Sequence, residues 1–373
     1  MVGAPLASYT RETVRRREQI RQARRDLIKV CGSGLTASEL RPRVLAALSQ
    51  LISVDAAFFA SADPATLLFT GATSVGIPTA ETPRFLDNEL NAEDVNQFVD
   101  LARGPRALDS LDHATSGERE LSQRYRSILA PLGLGDELRV AFRAGGTAWG
   151  FMCLHRESAQ AGFGSQEVAV IRPLLPHITE ALRSATLAGR AARPAGDEAA
   201  VVVVFNLDLS IASSSPSADL WLDELRAVDS PRHPRAPAAV ASIVERVLRR
   251  SSDPGATDEP PARARVPTRS GWLVLHGSRL SGESGRDQVA VVIERAAPHQ
   301  LAPLVLEAYR LTSREGEVTR LVLQGCTGPE IGALLHITTD TVQDHLKAVF
   351  AKAGVRNRRE LILAMYGLGG PSA

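Results

Sequence analysis

Between residues 311 and 367 the chain marks three helix starts with one recurring device: Thr312 with Glu315, Thr327 with Glu330 and Asn357 with Glu360. In each pair a polar cap precedes a glutamate by three residues, the spacing at which the two side chains satisfy first-turn amides reciprocally. Gly325 and Gly354 supply the left-handed residue that ends a helix, and Thr338 caps a further helix just after the turn His336–Ile337. This punctuation predicts helices at about 313–324, 328–335, 339–353 and 358–366. Inside them Val318, Leu321, Val322, Ile331, Leu334, Leu335, Ile337, Val342, Leu346, Val349, Phe350, Val355, Leu361, Ile362 and Met365 recur at helical spacing, enough for one small core. Two helices joined by so short a turn form a helix-turn-helix unit, whose second helix fits the ~12 Å major groove of DNA. Periodicity turns Thr341, Gln343, Asp344 and Lys347 outward, because Val342, Leu346, Val349 and Phe350 take most of the inward stripe.

The motifs LTSREGEV, Pro329-Glu330-Ile331, Thr341-Val342-x-x-His345-Leu346 and Lys352-x-Gly354-Val355 make this segment closely resemble the LuxR/FixJ/NarL-type helix-turn-helix domain, over about 57 of 373 residues. The resemblance implies that Val342, Gln343, Asp344 and Lys347 stand where relatives touch base edges, and Thr338 and Thr341 where they touch phosphates. Lys352 is a candidate phosphate contact or, alternatively, the partner of a glutamate on the first or second helix. One departure matters: relatives often carry Lys at the position of Gln343, and Asp344 brings a carboxylate towards a field of phosphates. Gln343 suits adenine N6/N7 and Asp344 suits cytosine N4, unless Asp344 merely pairs with Lys347 three residues on. His345 is expected to be structural and Cys326 to be core. Residues 301–373 hold 8 Arg/Lys and 7 Asp/Glu, a net charge of +1. A single module is therefore expected to bind weakly, and a homodimer on an inverted repeat is expected to bind better.

The remainder is long enough for two further domains at ~100–200 residues each. Formal net charge is only +1 over the whole chain, so indiscriminate nucleic-acid binding is excluded. No apolar run approaches the ~20 residues of a membrane span, and the opening residues lack a secretory pattern, so a cytoplasmic protein without membrane contact is expected. Cys31, Cys153 and Cys326 are far apart and show no ligand spacing, which argues against a disulfide framework and a metal site. No P-loop occurs, no phosphoacceptor pattern is visible in the first 120 residues, and no cofactor is expected.

Residues 8–30 carry eight Arg/Lys against three acidic residues, with Ile20, Ala23, Leu27 and Val30 on one helical stripe. The stripe suits a helix packed on its own domain or half of a coiled-coil contact between two chains. A second amphipathic helix follows at 38–53, then the short strands AAFFAS and LLFTGATS, helices at about 84–102 and 117–130, and a hairpin about the turn Ala144-Gly145-Gly146-Thr147. A long helix after Ser165 and Gln166 closes the segment. This order resembles a GAF domain over about residues 35–188, which implies an antiparallel sheet with a pocket on one face. Phe58, Phe59, Trp149, Phe151 and His155 are the candidate ligand-lining residues, although aromatic residues alternating along strands more often form core.

A linker at 189–198 precedes VVVVF, expected as a buried strand. There follow a helix in APAAVASIVERVLRR, a loop SSDPGATDEPPA and the strands GWLVLHGSRL and DQVAVVIERA, an order that resembles a PAS-like unit. The expected architecture is thus an amphipathic helix (1–34), a GAF-like α+β sensor domain (35–188), a small α+β PAS-like domain (199–296) and an all-α four-helix helix-turn-helix domain (305–368). The functional expectation is a bacterial DNA-binding transcription regulator and not an enzyme. Its expected partners are duplex DNA, a second copy of itself and a small-molecule effector, with RNA polymerase a further candidate. A thiol-dependent reductase would need paired reactive cysteines, and an adaptor that has lost DNA binding is the main rival reading.

Overall fold

The computed structural model describes residues 6–188, 199–230, 235–252, 260–280 and 287–365. The linker expected at 189–198 lies outside the described residues, as does most of the loop expected at 251–262. Helix α1 (Leu6–Cys31) runs into α2 (Ala37–Leu48), which starts at a Thr36/Glu39 capping box. Ala23 and Leu27 of the α1 stripe are buried, with Ile20 and Val30 packed at the margin of the same cluster. The stripe is therefore covered by the chain's own α2 and by the later helix Leu175–Ala188, and the coiled-coil alternative loses those residues.

Strands β1 (Ala56–Ala62) and β2 (Phe69–Val75) flank the expected turn. Helices α3 (Thr82–Asn91) and α4 (Phe98–Arg103) replace the single helix expected at 84–102. The break comes where Asp94 accepts hydrogen bonds from Asn88, Ser122 and the Arg124 amide, and where Asn96 turns to φ 57°. Strand β3 (Leu108–Ser110) and the one-turn α5 (Leu111–Ala114) follow. The helix expected at 117–130 is a series of short 3₁₀ and π turns instead, closed by Pro131 and the left-handed Gly133. Strands β4 (Leu134–Ala144) and β5 (Thr147–Glu157) form the expected hairpin, with Gly145 and Gly146 both at positive φ as a type I′ turn requires. Pro173 and Pro176 then divide the long closing helix into α6 (Ser165–Ile171) and α7 (Leu175–Ala188). The sheet order is β2-β1-β5-β4-β3, all antiparallel. Its outer face packs on α1, α2 and α7, and its inner face on α3 and α4.

A second sheet comprises β6 (Val201–Asn206), β7 (Ile211–Ser214), β8 (Arg263–Thr268), β9 (Gly271–Leu280) and β10 (Gln288–Arg295), with helices α8 (Ala218–Arg226) and α9 (Ala238–Ser252) inserted after β7. Its order, β7-β6-β10-β9-β8, repeats the second-first-fifth-fourth-third arrangement of the first sheet. VVVVF is not buried on both faces: Val201, Val203 and Phe205 are inside, while Val202 is exposed. The two sheets share one apolar cluster. Residues 228–230 run along the β2 edge, where Ser230 donates to the Ala72 carbonyl (2.9 Å) and accepts from the Ser74 amide (2.8 Å). Beside it, buried Arg265 of β8 grips Asp63 of the first unit, Nη2–Oδ1 2.6 Å and Nε–Oδ2 2.8 Å.

Helix α10 (Pro298–Ala308) lies against α7 and leads into α11 (Ser313–Leu323), α12 (Gly328–Leu335), α13 (Thr339–Ala353) and α14 (Arg358–Met365), within a residue of the expected bounds. The class is the expected one: two antiparallel sheets with helices, then an all-α bundle. Among the described residues no helix is long and apolar enough to cross a membrane.

Candidate functional site

The bundle is built from its caps upward. Glu315 accepts from the Thr312 amide at 2.7 Å, Glu330 from the Thr327 amide at 2.6 Å, and the Glu360 amide donates to Asn357 Oδ1 at 2.9 Å. Helix α12 ends on His336 at φ 55°, and the turn comes back so close that a Cβ on Gly332 would lie 2.8 Å from the Ile337 carbonyl oxygen. Only a glycine at 332 permits the two helices to approach this tightly without displacing backbone. Thr338 then caps α13 by accepting from the Thr341 amide at 3.2 Å.

On α13 the structure turns Gln343, Asp344 and Lys347 to solvent, with Thr338 exposed and Thr341 partly so at its start. Val342 is fully buried beside Val318, Val322, Ile331 and Val349. Its side chain has no surface to offer a base edge, so the role carried over to it from relatives is replaced by a core role. Leu334 departs the other way: expected in the core, it is 58% exposed on α12. Lys347 and Asp344 form an ion pair at 3.0 Å, with both side chains about three-quarters exposed (74% and 75%). Such i,i+3 surface pairs are worth only ~0.3–0.5 kcal/mol, so the pair holds Lys347 weakly.

Lys352 is committed elsewhere. Its ammonium sits 2.6 Å from Glu315 and donates to the Arg310 carbonyl at 3.3 Å, tying the last turn of α13 to the first turn of α11. Burial works against the Glu315 carboxylate, but the hydrogen bonds from Lys352 and Thr312 outweigh it and hold its pKa below the usual value.

The five aromatic and histidine candidates of the first sheet divide between its two faces. Phe58, Phe151 and His155 point inward, whereas Phe59 and Trp149 lie in the outer-face cluster with Phe142. Phe59 follows from alternation. Trp149 follows from a bulge: Phe142 pairs with Gly150 but Arg143 with Ala148, so Trp149 is the extra residue and flips side. Phe151 stacks on Phe98 at 4.7 Å between ring centres and belongs to the packed core of that face.

A cavity of about 80 Å³, open on one side, lies between the inner face, α3, α4 and the second unit. Phe58, Phe69, Phe85 and Phe98 form aromatic walls, Glu89, Arg139 and Cys153 a polar side, and Asp229, Ser230 and Ala236 the contribution of the second unit.

Beside this cavity the sheet joins His155 and Cys153 to two buried polar groups that the sequence reading did not single out, Glu137 and Arg139. Glu137 faces His155 across the β4–β5 ladder and Arg139 faces Cys153, so all four side chains stand on one face. Arg139 bonds Glu89 at 2.6 Å, and Arg124 bonds Glu137 Oε2 at 2.8 Å. Burial would raise the Glu137 pKa, yet Arg124, Arg139 and His155 prevail and hold it near 2. Burial lowers His155 to about 4 and pushes the Cys153 thiol well up. The signal that locates Cys153 was present: Cys153-x-His155 at strand spacing places both on one face.

The family model of bacterial regulatory proteins, luxR family, matches residues 309–365. Over 62 residues the chain is 40% identical to the transcriptional activator protein BjaR1 of Bradyrhizobium diazoefficiens, a stretch that is 17% of this chain and 26% of that protein. Over 59 residues it is 36% identical to the spore germination protein GerE of Bacillus subtilis, 16% of this chain and 80% of that protein. Among solved structures, the GAF domain/HD domain protein from Geobacter sulfurreducens matches 40% of this chain and 93% of its own at 18% identity, with a TM-score of 0.30. The chain thus spans about a quarter of the activator (26%) and most of the shorter GerE (80%).

Proposed function

The chain belongs to the luxR family of bacterial regulatory proteins, and on that premise we propose that it is a transcription regulator that binds duplex DNA as a two-fold dimer, controlled by a ligand in the cavity of the first sheet. The observation that carries the DNA reading is the unobstructed outer row of α13, where Gln343, Asp344 and Lys347 stand clear of the buried Val342 and Val349. Thr338 and Thr341 stand beside the first-turn amides of α13, a ready site for a phosphate. Dimerisation is inferred from the net charge of +1 over residues 301–373, which leaves one module with little electrostatic affinity.

Lys347→Ala and Asp344→Asn test the recognition helix. If Lys347 serves phosphate, its loss weakens all sequences alike and lowers the salt slope by ~1, whereas a base contact costs ~1–3 kcal/mol at one base pair. Asp344→Asn is expected to raise affinity on every sequence without changing the preferred site, because the carboxylate's partner in the structure is Lys347. Binding to a randomised half-site at two salt concentrations reads both. If neither variant changes affinity, slope or preference, α13 is not in the groove. Sedimentation showing a monomer both free and on its best DNA would remove the dimer.

The regulatory part has its own test. Helix α10 docks on α7 of the sensor, with Thr147 bonded to Glu307 at 2.8 Å and Arg183 to the Ala308 carbonyl. A fragment starting at Ala297 is expected to keep the sequence preference, bind more weakly, and ignore any effector of the whole protein. A fragment that still responds to the effector sinks the cavity assignment.

A further inference from the structure

We propose that Glu137, Cys153 and His155 form a binding site for one divalent transition-metal ion of the zinc type at the inner face of the β4–β5 hairpin. All three side chains are buried, and a carboxylate oxygen, the thiol sulfur and an imidazole nitrogen lie within 4.8 Å of one another. Glu137 Oε1 and His155 Nε2 are already 3.9 Å apart. Ligands held at 2.0–2.3 Å about a tetrahedral ion are separated by roughly 3.3–3.8 Å, so the three donors must close in by up to roughly 1 Å on binding.

Two observations point to a cation at this place. Glu137 Oε1 and both ring nitrogens of His155 have no hydrogen-bond partner, although each is buried. A fully buried imidazole and carboxylate oxygen left unsatisfied are costly, and buried polar atoms normally have partners. The second observation is charge. Around the three residues Arg124 and Arg139 are set against Asp94, Glu89 and Glu137, two positive groups against three negative. An ion of charge two, with Cys153 bound as thiolate, brings this group to neutrality.

The donor set names the class. Thiolate and imidazole with one carboxylate suit zinc or a neighbouring first-row ion, whereas magnesium and calcium take oxygen donors. The supporting groups are in place, since Arg124 fixes Glu137 through Oε2 and leaves Oε1 towards the site. Cys153 lines the cavity, so a fourth ligand, water or a small molecule, has a route in. Binding takes the Cys153 proton to solvent, one per ion. The proposal does not rest on the DNA-binding reading.

The test uses the full chain, stripped with chelator and titrated with Co²⁺. One cobalt per chain is expected, with a thiolate-to-cobalt charge-transfer band and tetrahedral d–d bands, displaced by Zn²⁺. Cys153→Ala should abolish the charge-transfer band, while Cys31→Ser and Cys326→Ser keep it. His155→Ala should weaken binding by more than the roughly 10–100-fold that loss of an outer-shell partner costs. X-ray absorption of the zinc-loaded wild-type chain should show one sulfur among nitrogen and oxygen ligands, a readout independent of whether any variant folds. A sulfur-free shell, no stoichiometric binding by the folded wild type, or a band that follows Cys31 or Cys326 overturns the proposal and leaves a buried water as the bridge.

Discussion

Asp63→Ala is expected to cost the chain about 3–5 kcal/mol of stability, the usual penalty for leaving one member of a buried ion pair without its partner. Asp63 and Arg265 are nearly inaccessible, at 2% and 6%. The carboxylate takes both a forked guanidinium contact and the Arg265 amide (2.9 Å). Truncation strands a guanidinium between the two sheets, where among the described residues no other carboxylate bonds it. Asp63→Leu combined with Arg265→Met, which removes both charges and fills the space, should recover most of the loss. Urea unfolding followed by tryptophan fluorescence measures it: Trp149 and Trp272 sit in the first and second sheet regions. A loss below ~1 kcal/mol for Asp63→Ala would show the pair to be dispensable to the joint.

Glu245→Gln should do the opposite, increasingly as pH rises above 4.5 and in full above 7. Glu245 on α9 packs against α3, where burial first and the charge of Asp87 second raise its pKa from 4.5 to about 7, a hydrogen bond from Asn91 opposing them. Because the folded-state pKa lies above the unfolded one, the folded chain holds the proton more tightly. Stability from this group is intact below 4.5, declines as pH rises through 4.5 to 7, and is at its lowest above 7. A rise of that size corresponds to about 3 kcal/mol as an upper figure. Glutamine keeps the shape and removes the charge, so the variant should equal the parent near pH 4.5 and exceed it by up to that amount at pH 8. Denaturant midpoints at the two pH values decide it, and equal midpoints at pH 8 would place Glu245 in water instead of at the α3–α9 contact.

The bundle was the most legible part of the chain because its instructions are local. Thr312, Thr338 and Asn357 accept from amides three residues away, and Glu330 accepts from the Thr327 amide, so helix bounds came within a residue. What the sequence did not reveal depends on distant partners. Strand β7 is exposed along its whole length and shows no alternation to read. Strand β8 contains an arginine that looks like a surface residue until Asp63, two hundred and two positions earlier, is brought to it. The helix expected at 84–102 breaks because Asp94 bonds residues on a later segment. At the sites the errors are of two kinds. A motif position said that Val342 meets DNA, whereas the inward stripe placed it in the core, and the stripe was the better guide. Trp149 was misplaced because one inserted residue reverses strand parity, which a single sequence does not display.

Only Tyr309 to Thr312 separate α10 from α11, and α10 is itself fastened to the sensor through Thr147, Arg183 and α7. Arg310, inside that short stretch, bonds back to Glu180. The helical bundle is therefore mounted on the first domain like a tooth on a gear and not hung from a cord. In a paired assembly the angular phase between two such teeth is set by how the sensors meet. Each base pair inserted between half-sites turns one of them by roughly 34–36° about the duplex, given 10–10.5 base pairs per turn. If the chain pairs on DNA as proposed, these contacts leave little slack for that rotation, and operator spacing would be set by the N-terminal half of the molecule, far from any base.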